Sequence, residues 1–233
     1  MLKRQLGIQR LGIVLGAVAV STGVISKPAQ AFTFTLNAED QGWYSDSGSH
    51  NPGNPNYIAG KSSGLKYRNF GVFDVSAITD TIVSATLRAY LPDSPNQGGY
   101  LGDASETWSL YDFGGNIDSL LAGTGGVAAY ADLGTGVAYG STVLTEADEG
   151  SIVEVTLGNA ALSDLNNALD RWAFGGACYT CSENGEREFV FGYSHNNSLI
   201  ELEIETQAVP EPGSLLGFMA MGTIAASSVI KRK

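Results

Sequence analysis

The chain has 233 residues, with 24 Asp+Glu against 13 Lys+Arg. Six of the basic residues but 23 of the acids fall between Phe32 and Pro210, so that stretch carries a net charge of about −17. A surface of that sign repels nucleic acid and anionic lipid, and neither is expected as a partner of this region. Thirty glycines in a background rich in Asn, Ser and Asp indicate many turns between short strands, a composition suited to a β-sandwich. Roughly 180 residues are enough for one domain with a sizeable core.

In chain order, Lys3, Arg4 and Arg10 form a basic start and residues 11–24 an apolar run. Ala29-Gln30-Ala31 is a small-x-small site, so residues 1–31 are predicted to be a signal peptide, leaving Phe32 first. An uncleaved anchor is the alternative, disfavoured by the shortness of the run and by Pro28. Residues 32–36 alternate as a first strand, and 37–63 read as a long polar surface loop with aromatics. Strands are predicted at 69–75, 81–91, 106–112, 127–133 and 151–157, with 113–126 turn-rich and 134–141 a glycine-laden hairpin region. Residues 159–169 carry the one helical spacing, through Ala160, Leu162, Leu165 and Leu169. Strands at 172–177, 188–193 and 198–206 close the fold, the last with Ile200, Leu202 and Ile204 inward and Glu201, Glu203 and Glu205 outward. The expected fold is all-β, an antiparallel sandwich with one short helix, spanning residues 32–208.

The cysteines are Cys178 and Cys181. In an exported protein this spacing suits a small disulfide ring; redox chemistry, a zinc site and free thiols are the alternatives. Redox use requires a helix N-terminus to lower the thiol pKa, and zinc requires further ligands where only His50 and His195 exist as histidines. Both histidines lie in polar sequence and are expected in solvent. Gly60-Lys61-Ser62-Ser63-Gly64 spells the string of a hydrolase nucleophile elbow, which needs a helix after the serine, whereas strand-like sequence follows. No carboxylate pair stands out from the general acidity as a glycosidase would require, and the expectation is a protein that is not an enzyme and needs no cofactor. Asp46, Asp148 and Glu149 are the calcium candidates, with a solvated acidic turn as the competing reading. Trp43, Tyr44 and Tyr57 are the best candidates for glycan contact, since an aromatic face stacks on a sugar ring. The competing reading is that they pack beneath the loop as a satellite core.

Residues 209–233 set the context for the rest. Val209-Pro210-Glu211-Pro212 precedes an uncharged stretch, 213–230, and Lys231-Arg232-Lys233 follows it. As a helix, the uncharged stretch is predicted to reach about 27 Å, near the ~30 Å hydrocarbon thickness of a bilayer, and the three bases suit a cytoplasmic stop. Pro-Glu-Pro, span and basic end resemble, in that order, the PEP-CTERM sorting signal of bacterial surface and exopolysaccharide-associated proteins. The resemblance implies export, transient anchoring by a single transmembrane helix, and recognition by an exosortase-type processing enzyme. It also implies a final place at the cell surface or in the extracellular matrix, in association with polysaccharide; a structural protein-contact module without glycan affinity and an unrecognised extracellular hydrolase are the alternatives. Trp43-Tyr44, Asn56-Tyr57, Arg68-Asn69-Phe70, Asp132-Leu133-Gly134 and Tyr139-Gly140 resemble extracellular domains that accompany this tail. Phe73-Asp74-Val75-Ser76 followed by Ile82-Val83-Ser84-Ala85-Thr86-Leu87-Arg88 is similar to jelly-roll modules of secreted polysaccharide-associated proteins.

Overall fold

The computed structural model describes residues 31–93, 98–181, 187–192 and 199–207. The expected signal peptide through Ala29, the sorting motif Val209–Pro212, the membrane span, Lys231, Arg232, Lys233 and His195 lie outside the described residues; Ala31 is the first within them. The first strands are β1 (Thr33–Asn37), β2 (Asp40–Ser45), β3 (Ala59–Ser62), β4 (Leu65–Asp74) and β5 (Ile82–Leu91). Then come β6 (Tyr100–Leu101), β7 (Glu106–Asp112), helices α1 (Ile117–Leu121) and α2 (Gly126–Asp132), and β8 (Ala138–Leu144). A 3-10 turn at Glu146–Asp148, β9 (Ser151–Thr156), α3 (Asn159–Asn167), β10 (Arg171–Cys178), β11 (Glu188–Val190) and β12 (Ile200–Thr206) complete the order.

Every strand pairing among the described residues is antiparallel. One sheet runs β1-β12-β5-β9, and its two faces follow from alternation. Leu36, Leu202, Leu87 and Val155 stand in one cross-strand row and are turned into the core. One residue along, the row Asn37–Glu201–Arg88–Glu154 faces outward, with Arg88 bridging Glu201 at 3.0 Å and Glu154 at 3.2 Å. These surface pairs, half-buried at Arg88 and Glu201, add little stability and serve mainly to keep the face polar.

The second sheet runs β6-β11-β3-β4-β10-β7-β8, with β2 also on β4, and it packs Phe73, Trp108, Leu110, Trp172 and Phe174 against the first. Its centre holds one buried amide. Asn69 donates to the Tyr57 carbonyl at 2.7 Å and accepts from the Trp108 indole at 3.2 Å. Opposite it, Gly176 has no room for a side chain: a Cβ there would lie 2.0 Å from Asn69 Oδ1 and 2.5 Å from Trp108 Nε1.

The outer face of this sheet is also apolar, and that departs from a simple sandwich. Phe70, Val72, Ala173 and Tyr44 form a second buried cluster with Leu120, Ala129 and Leu133, contributed by the 113–137 connection. Three sequence expectations are corrected here. Residues 127–133 are helical, because Ala-rich sequence favours α2 and the i, i+4 pair Ala129/Leu133 covers the sheet. The turn-rich stretch contains α1, capped by Asn116 Oδ1 on the Ser119 N–H at 2.8 Å, so the described residues hold three α-helices where one was expected. Residues 37–63 are not one surface loop, since β2 and β3 both pair with β4.

Gly176→Ala is expected to destabilise the domain by about 1–3 kcal/mol through overpacking against the Asn69–Trp108 pair. Chemical denaturation followed by tryptophan emission measures it, and an unchanged midpoint would contradict the packing described.

Candidate functional site

Two of the three aromatic loop residues are closed to any ligand. Tyr44 is fully buried at the end of β2, where its hydroxyl donates to the Leu120 carbonyl at 2.8 Å and accepts the Gly125 N–H at 3.3 Å. Tyr57 is fully buried too, its hydroxyl bonded to the Tyr90 carbonyl and its ring against Phe191. Neither can offer a ring face to a ligand. Trp43 is half-buried, edge-on to Tyr67 at 5.2 Å. His50, expected in solvent, is half-buried instead: it stacks on Tyr44 at 4.9 Å, and its Nδ1 lies 2.8 Å from the Trp43 carbonyl. Loss of hydration lowers its pKa, opposed by that carbonyl and by Asp40.

Ser62 ends β3, and Ser63 and Gly64 both adopt positive φ (53° and 79°), making a two-residue hairpin turn into β4. A strand therefore follows the serine, which is not the geometry of a nucleophile elbow. The calcium candidates are not brought together. Asp148 caps its own turn by accepting from the Thr145 N–H at 2.8 Å, and Glu149 accepts from the Tyr100 N–H at 2.8 Å. Asp46, on the segment after β2, forms no ligand group with them.

Cys178 and Cys181 form a disulfide, with their Cα atoms 5.4 Å apart. The two residues inside the ring are each tied to a different part of the fold. Tyr179, half exposed, donates to the Gly134 carbonyl and accepts from Arg68 Nη2 at 2.9 Å. Arg68 in turn lies 4.4 Å above the Tyr130 ring and donates to the carbonyls of Tyr130 and Ala131, at the C-terminal end of α2. Thr180 bonds the buried Glu106 carboxylate, whose other oxygen accepts the Asp103 N–H at 3.1 Å. Glu106, Cys178 and Cys181 form the one group of metal-ligand types within 4.8 Å among the described residues. With the sulfurs bonded to each other, it offers a metal no thiolate. The sequence expectations gave Glu106 no role, although it shares the inward alternation of Trp108 and Leu110.

A groove lies elsewhere. The 113–137 connection joins β7 to β8, which are adjacent antiparallel strands that a loop of ~2–5 residues could link. It encloses an open groove of about 740 Å³, lined among others by Phe113, Asn116, Ser119, Thr124, Ala128 and Asp132. The sequence reads here as turns over 113–126, a strand over 127–133 and a glycine-laden hairpin region from 134, with no sign of a cavity. Compared with protein-family models and with curated proteins, the chain matches none. No helix among the described residues is long and apolar enough to cross a membrane.

Replacing both cysteines by alanine is expected to cost about 2 kcal/mol, the chain-entropy value for so short a ring. Unreduced protein should offer no alkylatable thiol, and two alkylated sites would contradict the disulfide.

Alkaline stability follows from the tyrosines. Burial and the nearby Glu106, Asp103, Glu146 and Asp148 push Tyr100 up from 10.0 to about 12, and burial also raises Tyr57 and Tyr139. These phenols hold their protons more tightly folded than unfolded. Their contribution is therefore complete below pH ~10 and is lost as pH rises toward ~12. Absorbance titration should show them ionising together with cooperative unfolding, and independent ionisation of every tyrosine near pH 10 in the folded protein would contradict this.

Proposed function

We propose that this chain is an exported, non-catalytic surface or matrix protein, sorted by its C-terminal segment and associated with extracellular polysaccharide. The observation that carries the reading is the fixed order of Val209-Pro210-Glu211-Pro212, an uncharged run and Lys231-Arg232-Lys233. Pro210 and Pro212 disfavour helix at Val209 and Glu211, so an extended recognition segment would adjoin a membrane helix. A disulfide in the folded part is in keeping with an oxidising compartment. The processing partner would be a membrane enzyme of the exosortase type, and kinship of the sandwich with secreted jelly-roll modules belongs to the same proposal.

In a host possessing such an enzyme, Pro210→Ala with Pro212→Ala should leave an unprocessed, membrane-anchored precursor. Intact-mass measurement of surface and membrane fractions decides it. Trimming of the double variant near residue 212, as in the parent, would remove the motif from recognition.

A further inference from the structure

We infer that the groove within the 113–137 connection is a binding site for a neutral saccharide. This rests on, and narrows, the polysaccharide association proposed above, moving the contact away from Trp43, Tyr44 and Tyr57.

Size is the first reason. A volume of about 740 Å³ lies within the ~300–1,000 Å³ usual for small-molecule clefts. The mixture of lining groups is the second. Phe113 and the Ala128 and Ala131 methyls supply apolar surface, while five polar side chains, those of Asn116, Ser119, Thr124, Asp132 and Thr135, interrupt it. Asn116 commits its Oδ1 to the Ser119 N–H, so its amide nitrogen is the group left to donate. Asp132 commits Oδ2 to the Gly115 N–H at 3.0 Å, which leaves Oδ1 to accept. The Thr124 and Thr135 hydroxyls donate to the carbonyls of Ser119 and Ala131, and their lone pairs face the same need for a donor. Such a wall of acceptors, a few donors and an aromatic ring matches a molecule whose hydroxyls both donate and accept and whose C–H face is apolar.

Charge decides which saccharide. No Lys, Arg or His lines the groove and one carboxylate does, so a uronate, a sulfated sugar or a phosphate would meet repulsion rather than a partner. Extended peptides are disfavoured because no strand edge borders the cavity to pair with them. Placement on a long connection over a rigid sheet is where binding groups commonly sit.

The test uses the full chain in detergent on an array of neutral gluco-, manno-, galacto- and N-acetylglucosamine oligomers beside uronate oligomers, with titration calorimetry on any hit. Ala128 is exposed on α2, so Ala128→Phe fills the groove without entering the core. Binding of at least one neutral series is expected, weakened at least about tenfold by Ala128→Phe and unchanged by Trp43→Ala. A thermal melt matching the parent shows that each variant is folded, and Thr124→Phe replaces Ala128→Phe should that variant melt early. Binding to uronates alone, loss with Trp43→Ala but not with the groove variants, or no binding of any neutral series would overturn the assignment. Sorting through Pro210 and Pro212 could still hold in each of those cases, so the two proposals fail separately.

Discussion

The hydroxyl of Tyr44 pins the 113–137 connection to the larger sheet. Sitting at the far end of β2, it takes the Leu120 carbonyl of α1 and the Gly125 N–H before α2 on a single oxygen. Burial makes both bonds necessary, because a phenol left without partners there would cost about 1–3 kcal/mol. The same ring stacks on His50 and packs near Phe70, so the strand, the following loop and the helical connection meet at one side chain. Three of the groove residues, Ser119, Leu120 and Gly125, are positioned by that contact.

This arrangement answers a constraint set by the larger sheet. A sandwich buries one face of each sheet, yet here β4 and β10 put Phe70, Val72 and Ala173 on the outer side as well. Those residues need cover, and the connection between β7 and β8 supplies Leu120, Ala129 and Leu133 for it. The disulfide ring fastens the far end of the same connection, since Tyr179 bonds Gly134 and braces Arg68 against Tyr130. Rigidity of the scaffold and placement of a cavity thus come from the same contacts, which links the core packing to the proposed saccharide site.

Strands with one wet face were readable from residue order alone. β9, β12 and β5 from Ala85 onward alternate, and α3 was legible as a helix, although it ends at Asn167, buries Ala161 and Leu165, and leaves Leu169 exposed. β2 and β3 were hidden because their residues, Asp40-Gln41-Gly42-Trp43 and Ala59-Gly60-Lys61, have turn-like composition and become strands only by pairing with β4. In α2, Val127, Ala129, Ala131 and Leu133 fit a period of two as well as Ala129 and Leu133 fit a period of four, and only the surface to be covered separates the readings. Tyr44 and Tyr57 misled for a related reason. Polar neighbours suggested a surface, while distant carbonyls satisfy their hydroxyls and permit burial. The groove had no local signature beyond the length of the connection that forms it.

Hydrogen exchange on Tyr44→Phe against the parent tests the pinning role most directly. Loss of the hydroxyl should speed exchange of amides across 116–133 by about fivefold, the equivalent of roughly 1 kcal/mol, while β4 and β10 keep their protection. Unchanged exchange in 116–133, or equal acceleration throughout both sheets, would contradict Tyr44 as the contact that holds the connection in place.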